Sequence, residues 1–178
     1  MAGLGNRLPI EQIANLTLRL PSRRVRHVFV RRMLKWTMGE DVHIGRGVTL
    51  QGIHGFACGS RVVIHRHSHL DLRGGLTIGD DVAISPRCQI LTADHDPDSP
   101  TREYRARSVT IGNRVWLGTG SCLLPGTIVG DGCVVGGYGV AHGTLREFGI
   151  YAGNPARRVR DRSRGAQERL AGSMRRFQ

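Results

Sequence analysis

The sequence predicts a mainly β protein: a parallel β-helix whose triangular coils stack into a prism, with helices before it, a loop thrust out of it and a helix after it. Three observations carry that prediction. Aliphatic residues recur every six positions, as Ile111, Leu117, Leu123, Val129 and Val135. Four residues past these and earlier aliphatics stands a compact one, as in Val82, Cys88, Val115, Ser121, Thr127 and Cys133. Third, 25 of 178 residues are glycine while aromatics make up only 5%. That glycine share is about twice the usual ~7% and asks for many tight turns around an aliphatic core. A period of six is neither the 3.6 of a helix nor the 2 of a strand. It describes a short strand and a corner, three to a coil, with the aliphatics stacked inside.

The elements follow in chain order. Residues 1–40 form a basic, helical N-terminal segment. Ile10, Ile13 and Ala14 fall at helical spacing and stop before Pro21, and Ser22 is placed to cap a second helix. Its apolar stripe, Val25, Val28, Phe29, Met33 and Trp36, is expected to dock on the domain, with Arg24, Arg31 and Lys35 off that line and Gly39 as the stop. Residues 41–156 are the prism. Ile44 and Leu50 open it, Ile64 and Leu70 continue after a shift of phase, and Ile78, Ile84 and Ile90 keep the six-residue step. Ile90 and Ile111 stand 21 positions apart, which is not a multiple of six, so residues 92–108 must leave the coil as a polar loop. Excursions of this kind from a regular scaffold usually carry function. Residues 157–178 form a basic tail, with Ala166, Leu170, Met174 and Phe177 on one face of an expected capping helix.

Charge narrows the function classes. The chain carries +12, of which residues 1–40 (eight basic, two acidic) and 157–178 (eight basic, two acidic) contribute +6 each, while 41–156 balances ten against ten. The basicity therefore belongs to the two ends, where it suits peripheral contact with an anionic surface. A basic patch interleaved with aromatics, the mark of nucleic-acid modules, is missing, so no nucleic-acid partner is expected. Cys58, Cys88, Cys122 and Cys133 have no CxxC spacing and read as small residues of a reducing compartment. No apolar run reaches membrane-spanning length and no signal-peptide pattern opens the chain, so a cytoplasmic location is expected.

Three stretches carry a family resemblance: LTADHDPDSP, VTIGNRVWLGTGSCLLPGTIVGDG and IYAGNPARRVR. Over roughly residues 40–160 the chain resembles the hexapeptide-repeat acyltransferases, which include the galactoside and maltose acetyltransferases and the O-acetyltransferases of surface polysaccharides. The resemblance implies a left-handed parallel β-helix (the hexapeptide-repeat prism), an exception to the right-handed crossover preference. It also implies a homotrimer with acetyl-CoA, or another acyl-CoA, bound between neighbouring prisms. His95 becomes the general base that takes the proton of an attacking hydroxyl, a task suited to a group titrating near neutrality. Trp116 would lie along the pantetheine arm, with Gly118 and Thr119 on the same wall and Gly137 where bulk would block the donor. Arg157 and Arg160 would meet the coenzyme phosphates. His65 and His67 fall near positions where sugar acetyltransferases touch the acceptor, and Asp71 is a further candidate for binding an acceptor hydroxyl or amine. Asp94 and Asp96 flank His95, yet adjacent side chains rarely orient one another, so no partner for the imidazole is visible.

The chain departs from the family at His142, Gly143 and Thr144, where Thr-Lys-Asp is common, and at Tyr138, where glycine is usual. These changes leave the acyl group open, and the expected acceptor is a small molecule, either a saccharide or a natural-product or antibiotic scaffold. Two rival readings stand beside it. His65, His67 and His69, alternating along a strand, would share one face and suggest the zinc site of a γ-class carbonic anhydrase, although that family's long-range histidine spacing is missing and no metal is expected. A non-enzymatic scaffold held to a surface by its basic ends is the other.

Overall fold

Short strands wind through five triangular coils and part of a sixth in the computed structural model, which describes residues 8–163. The first coil is β1 (Thr37–Met38), β2 (His43–Ile44) and β3 (Thr49–Gln51). The second is β4 (Phe56–Cys58), β5 (Val63–Ile64) and β6 (His69–Asp71), and the third β7 (Leu76–Ile78), β8 (Ala83–Ile84) and β9 (Gln89–Ile90). A hairpin, β10 (Ala93–His95) and β11 (Tyr104–Ala106), interrupts the winding. The fourth coil is β12 (Val109–Ile111), β13 (Trp116–Leu117) and β14 (Cys122–Leu123), and the fifth β15 (Ile128–Val129), β16 (Val134–Val135) and β17 (Val140–Ala141). β18 (Thr144–Leu145) and β19 (Gly149–Ala152) begin the sixth, and β20 (Arg157–Asp161) closes it.

Parallel pairing of like strands makes three faces. The first face orders β1-β4-β7-β12-β15-β18, the second β2-β5-β8-β13-β16-β19-β20, and the third β3-β6-β9-β14-β17. The expected aliphatics point inward: Ile64, Ile84 and Leu117 on the second face and Leu70, Ile90 and Leu123 on the third are all buried. So are the compact residues four positions on, from Val82 to Cys133. Each such stack replaces water contact by contact with the coils above and below, the favourable term that holds short strands together. Burial pushes the Cys58 thiol up to about 11, only partly offset by the Gly39 N–H and the Arg31 charge, and no cysteine is paired with another.

Two corners are regular and the third is not. Between the first and second faces a polar ladder runs up the prism. Ser60 N–H donates to Asp80 Oδ1 (2.6 Å), Asp80 N–H to Asn113 Oδ1 (2.9 Å) and Asn113 N–H to Asp131 Oδ1 (2.8 Å). Between the second and third faces Gly47, His67, Arg87, Gly120 and Tyr138 repeat a left-handed turn, with φ between 56° and 74°. Gly120 is needed there because the Tyr138 ring lies against it; an added Cβ would sit 2.6 Å from that ring. The third-to-first corner varies in length: Thr37 pairs with Ala57 and Ala57 with Thr77, a coil of 20 residues, whereas Thr110 pairs with Ile128, a coil of 18. The extra residues of the early coils lie at this corner, which explains the shift of phase. The hairpin leaves from the same corner.

Helices α1 (Leu8–Arg19) and α2 (Arg23–Met33) cover the first coil, with Ser22 capping α2 as expected. They do so by satisfying strand edges. Asn15 both donates to Leu50 O (3.0 Å) and accepts from Leu50 N (2.7 Å), and Glu11 accepts from Gly52 N (2.9 Å). Buried Arg26 donates to the Ile44, Leu20 and Pro21 carbonyls. The docked side is thus Ala14, Leu18, Arg26 and Val30, whereas Ile10, Ile13, Val25, Val28 and Met33 are exposed. This corrects the expected stripe: a guanidinium with three carbonyl acceptors is buried where spacing alone favoured valine. Trp36, by contrast, is buried as expected and donates to Ile53 O. At the other end Arg157–Asp161 is an antiparallel strand on β19, not the start of a helix. The expected helix of Ala166, Leu170, Met174 and Phe177 lies outside the described residues.

Candidate active site

The hairpin is pinned at its base by Asp71, at the end of β6. This carboxylate is fully buried, and both oxygens are taken. Oδ1 accepts from Arg73 N and Nε (3.1 and 2.8 Å), and Oδ2 from Arg73 Nη2, Thr92 N and Ala93 N (3.0, 3.1 and 3.1 Å). Burial by itself raises the Asp71 pKa, but the hydrogen bonds from Arg73 and Thr92 outweigh it and hold the carboxyl below its ordinary value. Thr92 completes the knot through Gly74 N (2.8 Å) and Arg107 N (2.7 Å), which fixes the chain on both sides of the loop. Asp71, expected as an acceptor ligand, therefore has no free lone pair and anchors the hairpin instead.

His95 closes strand β10, opposite Tyr104 of β11, and its side chain is exposed. Its Nδ1 lies 2.7 Å from the Arg102 carbonyl oxygen. A carbonyl only accepts, so Nδ1 carries the proton and the neutral ring keeps its lone pair on Nε2. The missing partner is thus a backbone atom, invisible in the side-chain sequence. The flanking acids serve another purpose: Asp94 takes Arg105 Nε and Arg107 Nη2 (both 2.9 Å), and Asp96 faces Arg105 Nη1 at 3.3 Å. The Arg105 hydrogen bond, followed by the charges of Arg105 and Arg107, holds Asp94 below the ordinary carboxylate range. Tyr104 sets its ring edge-on to His95 at 5.8 Å, and the Arg73 guanidinium lies 5.6 Å from the same ring. A groove opens beneath the hairpin, walled by Leu91, Leu124 and Pro125 and rimmed by Arg107 and His142. Sequence reasoning passed over these walls because alternating apolar residues at a corner look like core.

The expected donor residues lie elsewhere. Trp116 faces outward from β13 on the second face, 47% exposed, its Nε1 donating to Ser85 Oγ (3.0 Å). Gly118 is buried; an added Cβ would meet Gly137 N at 2.6 Å, so close stacking of coils requires glycine there. Thr119 and Gly137 are exposed at the adjacent corner, and a Cβ on Gly137 would meet only Thr119 O, at 3.3 Å. Arg157 and Arg160 are exposed on β20 of the same face, three strand spacings from Trp116, or ~14 Å at ~4.8 Å per strand. In a triangular coil the second face is opposite the third-to-first corner, so His95 and Trp116 lie on opposite sides of one chain.

The three neighbouring histidines do not line a single strand. His65 follows β5 of the second face, His67 occupies the left-handed corner at φ 60°, and His69 begins β6 on the third face with Nδ1 2.9 Å from Thr49 Oγ1. The shared face that a zinc site would use is not formed. Burial, then the neighbouring Arg66, lowers the pKa of His65.

Stacked six-residue repeats around an aliphatic core, broken once by the hairpin that carries His95, make a hexapeptide-repeat prism. Residues 108–140 match the family model described as bacterial transferase hexapeptide (six repeats). The chain is 33% identical over 138 residues to WbbJ of Escherichia coli K12, named for lipopolysaccharide biosynthesis O-acetyl transfer, covering 68% of this chain and 69% of that one. A Mycobacterium tuberculosis protein named as an acetyltransferase is 32% identical over 131 residues, 70% of this chain; the match spans only 44% of that relative's length. A hexapeptide-repeat acetyltransferase of Vibrio cholerae, solved with acetyl coenzyme A, shares the fold at TM-score 0.79 and 22% identity, covering 85% of each chain. The chain belongs to the hexapeptide-repeat acetyltransferases, and its prism is the left-handed parallel β-helix that the resemblance implied.

Proposed function

We propose that this chain transfers the acetyl group of acetyl-CoA to a hydroxyl of a sugar or other small acceptor, at sites between the subunits of a homotrimer. The observation that carries the reading is the His95 imidazole held by the Arg102 carbonyl with Nε2 free. In this reading Nε2 takes the acceptor's proton as its oxygen attacks the thioester carbonyl. A tetrahedral intermediate forms, with backbone N–H groups meeting its oxyanion. The C–S bond then breaks, and His95 returns the proton to the departing thiolate.

The surface suits the donor. A half-exposed Trp116 and the small Gly137 offer a slender apolar path, and Arg157 and Arg160 stand on the same face for charge-assisted contacts to phosphates. Since His95 is on the far side of the prism, a second copy must bring its hairpin to that face. His65, half-buried, and His67, at the exposed corner, border the same face as candidate acceptor contacts. O-transfer is proposed because two of the relatives, WbbJ and the galactoside O-acetyltransferase of Escherichia coli K12, are named for it.

A complementation assay tests it. His95→Ala should lose ~10²–10⁴-fold in turnover, measured as released thiol, while keeping trimer mass and coenzyme affinity. Gly137→Leu should block the donor path. Co-refolding the two inactive variants should restore about a quarter of wild-type activity, since randomly mixed heterologous interfaces unite two intact halves in one case of four. No recovery would place the site within one chain and sink the composite reading.

A further inference from the structure

The helical cap has two apolar sides, and only one is used by the prism. Ile10, Ile13, Leu16 and Leu20 stay off the prism: at about 100° per residue Ile13 and Leu16 lie well round from the docked Ala14 and Leu18, Ile10 lies at the edge of the docked side, and Leu20 follows the helix end. They are 44%, 51%, 62% and 44% exposed. On α2, Val25 and Val28 are 47% and 50% exposed, away from docked Arg26 and Val30. Around these six side chains the charge is of one sign. Arg19, Arg24 and Arg32 are exposed, and none of the ion pairs among the described residues involves Arg24 or Arg32. α2 contains no acidic residue, and the single acid of α1, Glu11, is turned inward to Gly52 N.

We infer that this outer face of the cap is a docking surface for an anionic lipid bilayer. Charge complementarity selects the partner's sign, and the exposed aliphatics select its kind: phosphates of a nucleic acid reward arginines but leave isoleucine and leucine in water. A lipid surface satisfies both, with arginines at headgroup level and apolar side chains at the acyl boundary. Geometry keeps the face available. Because α1 and α2 sit on the strand edges of the first coil, their outer side looks along the prism axis. Copies packed side by side would leave it uncovered and aim every cap the same way. The inference does not rest on acyl transfer.

The test is co-sedimentation of the full chain with phosphatidylcholine vesicles, with and without phosphatidylglycerol. Binding is expected to the anionic vesicles and to be weak on the neutral ones. Arg24→Gln with Arg32→Gln should lower the partition coefficient about 30-fold at low ionic strength, from about fivefold per arginine. Ile13→Asp with Leu16→Asp should abolish binding while thermal melting and oligomer mass stay as in the parent; Ile13→Ser with Leu16→Ser replaces that pair if it fails to fold. Three results would overturn the inference. One is equal or absent binding to both vesicle types. Another is binding that ignores the apolar substitutions and is displaced by duplex DNA. The last is a change of oligomer mass in the apolar variants, which would assign the face to a second copy.

Discussion

At the scale of single residues, the hairpin's chemistry depends on atoms that no side-chain pattern displays. His95 was legible from its place after a strand end in LTADHDP, but its orienting group is the Arg102 carbonyl, supplied by a turn with Arg102 at φ 50°. Asp71 was legible as an unusual acid and misplaced in role, since only the folded chain shows both its oxygens occupied. Asp71→Asn keeps the shape and removes the charge that binds Arg73. Urea unfolding should then show a loss of roughly 1.5–3 kcal/mol, the worth of hydrogen bonds to a charged group. The sign with pH is fixed by a folded pKa below the ordinary carboxylate value. The carboxylate's stabilisation is complete above ~3.9 and is lost as pH falls through the lower folded value. The acid limb of the stability curve should therefore flatten in Asp71→Asn; an unchanged limb would assign it to other groups.

At the scale of elements, the coils were read correctly because each hexad has a single job: one aliphatic inward and one compact residue beside it. The cap's stripe was read partly on the wrong side: Phe29 and Trp36 pack inward as expected, but buried Arg26 and half-buried His43 do work that hydrophobicity does not report. His43, on β2 beneath α2, is half-buried, and its Nδ1 is shielded from solvent without a hydrogen-bond partner among the described residues. Burial first, then the charges of Arg23 and Arg26, lower its pKa to about 4. A histidine that stays neutral in the fold yet protonates near 6.5 when unfolded favours unfolding as pH falls between those values. With solvent screening of the half-buried ring allowed for, the fold should thus lose on the order of 2–3 kcal/mol between pH ~6.5 and ~4, with no further loss from this group below that. His43→Leu should remove that slope from a plot of melting temperature against pH. β20 escaped the sequence reading for a related reason: five exposed, mostly charged residues are a poor strand pattern, and pairing with β19 alone makes them one.

At the scale of the whole molecule, the prism separates the proposed base from the proposed donor wall by its full width. Sequence matching assigned both, and only the triangular winding shows that one chain cannot unite them. Activity should consequently follow assembly. On dilution through the dissociation range of the proposed trimer, specific activity per chain should fall toward zero in step with oligomer mass. A specific activity that holds constant down to monomer would contradict the composite site.

The variable corner has a consequence for how such a protein changes over time. Two corners carry the hydrogen-bond ladder and the repeated left-handed turns, so each of their positions answers to the coils above and below. The remaining corner already tolerates short, long and very long connections without disturbing its neighbours. Insertions there leave the stack intact, and Asp71 with Thr92 supplies a fixed socket for whatever loop is inserted. The loop that carries the proposed base can lengthen, change or be grafted from one chain to another at little cost to the scaffold beneath it.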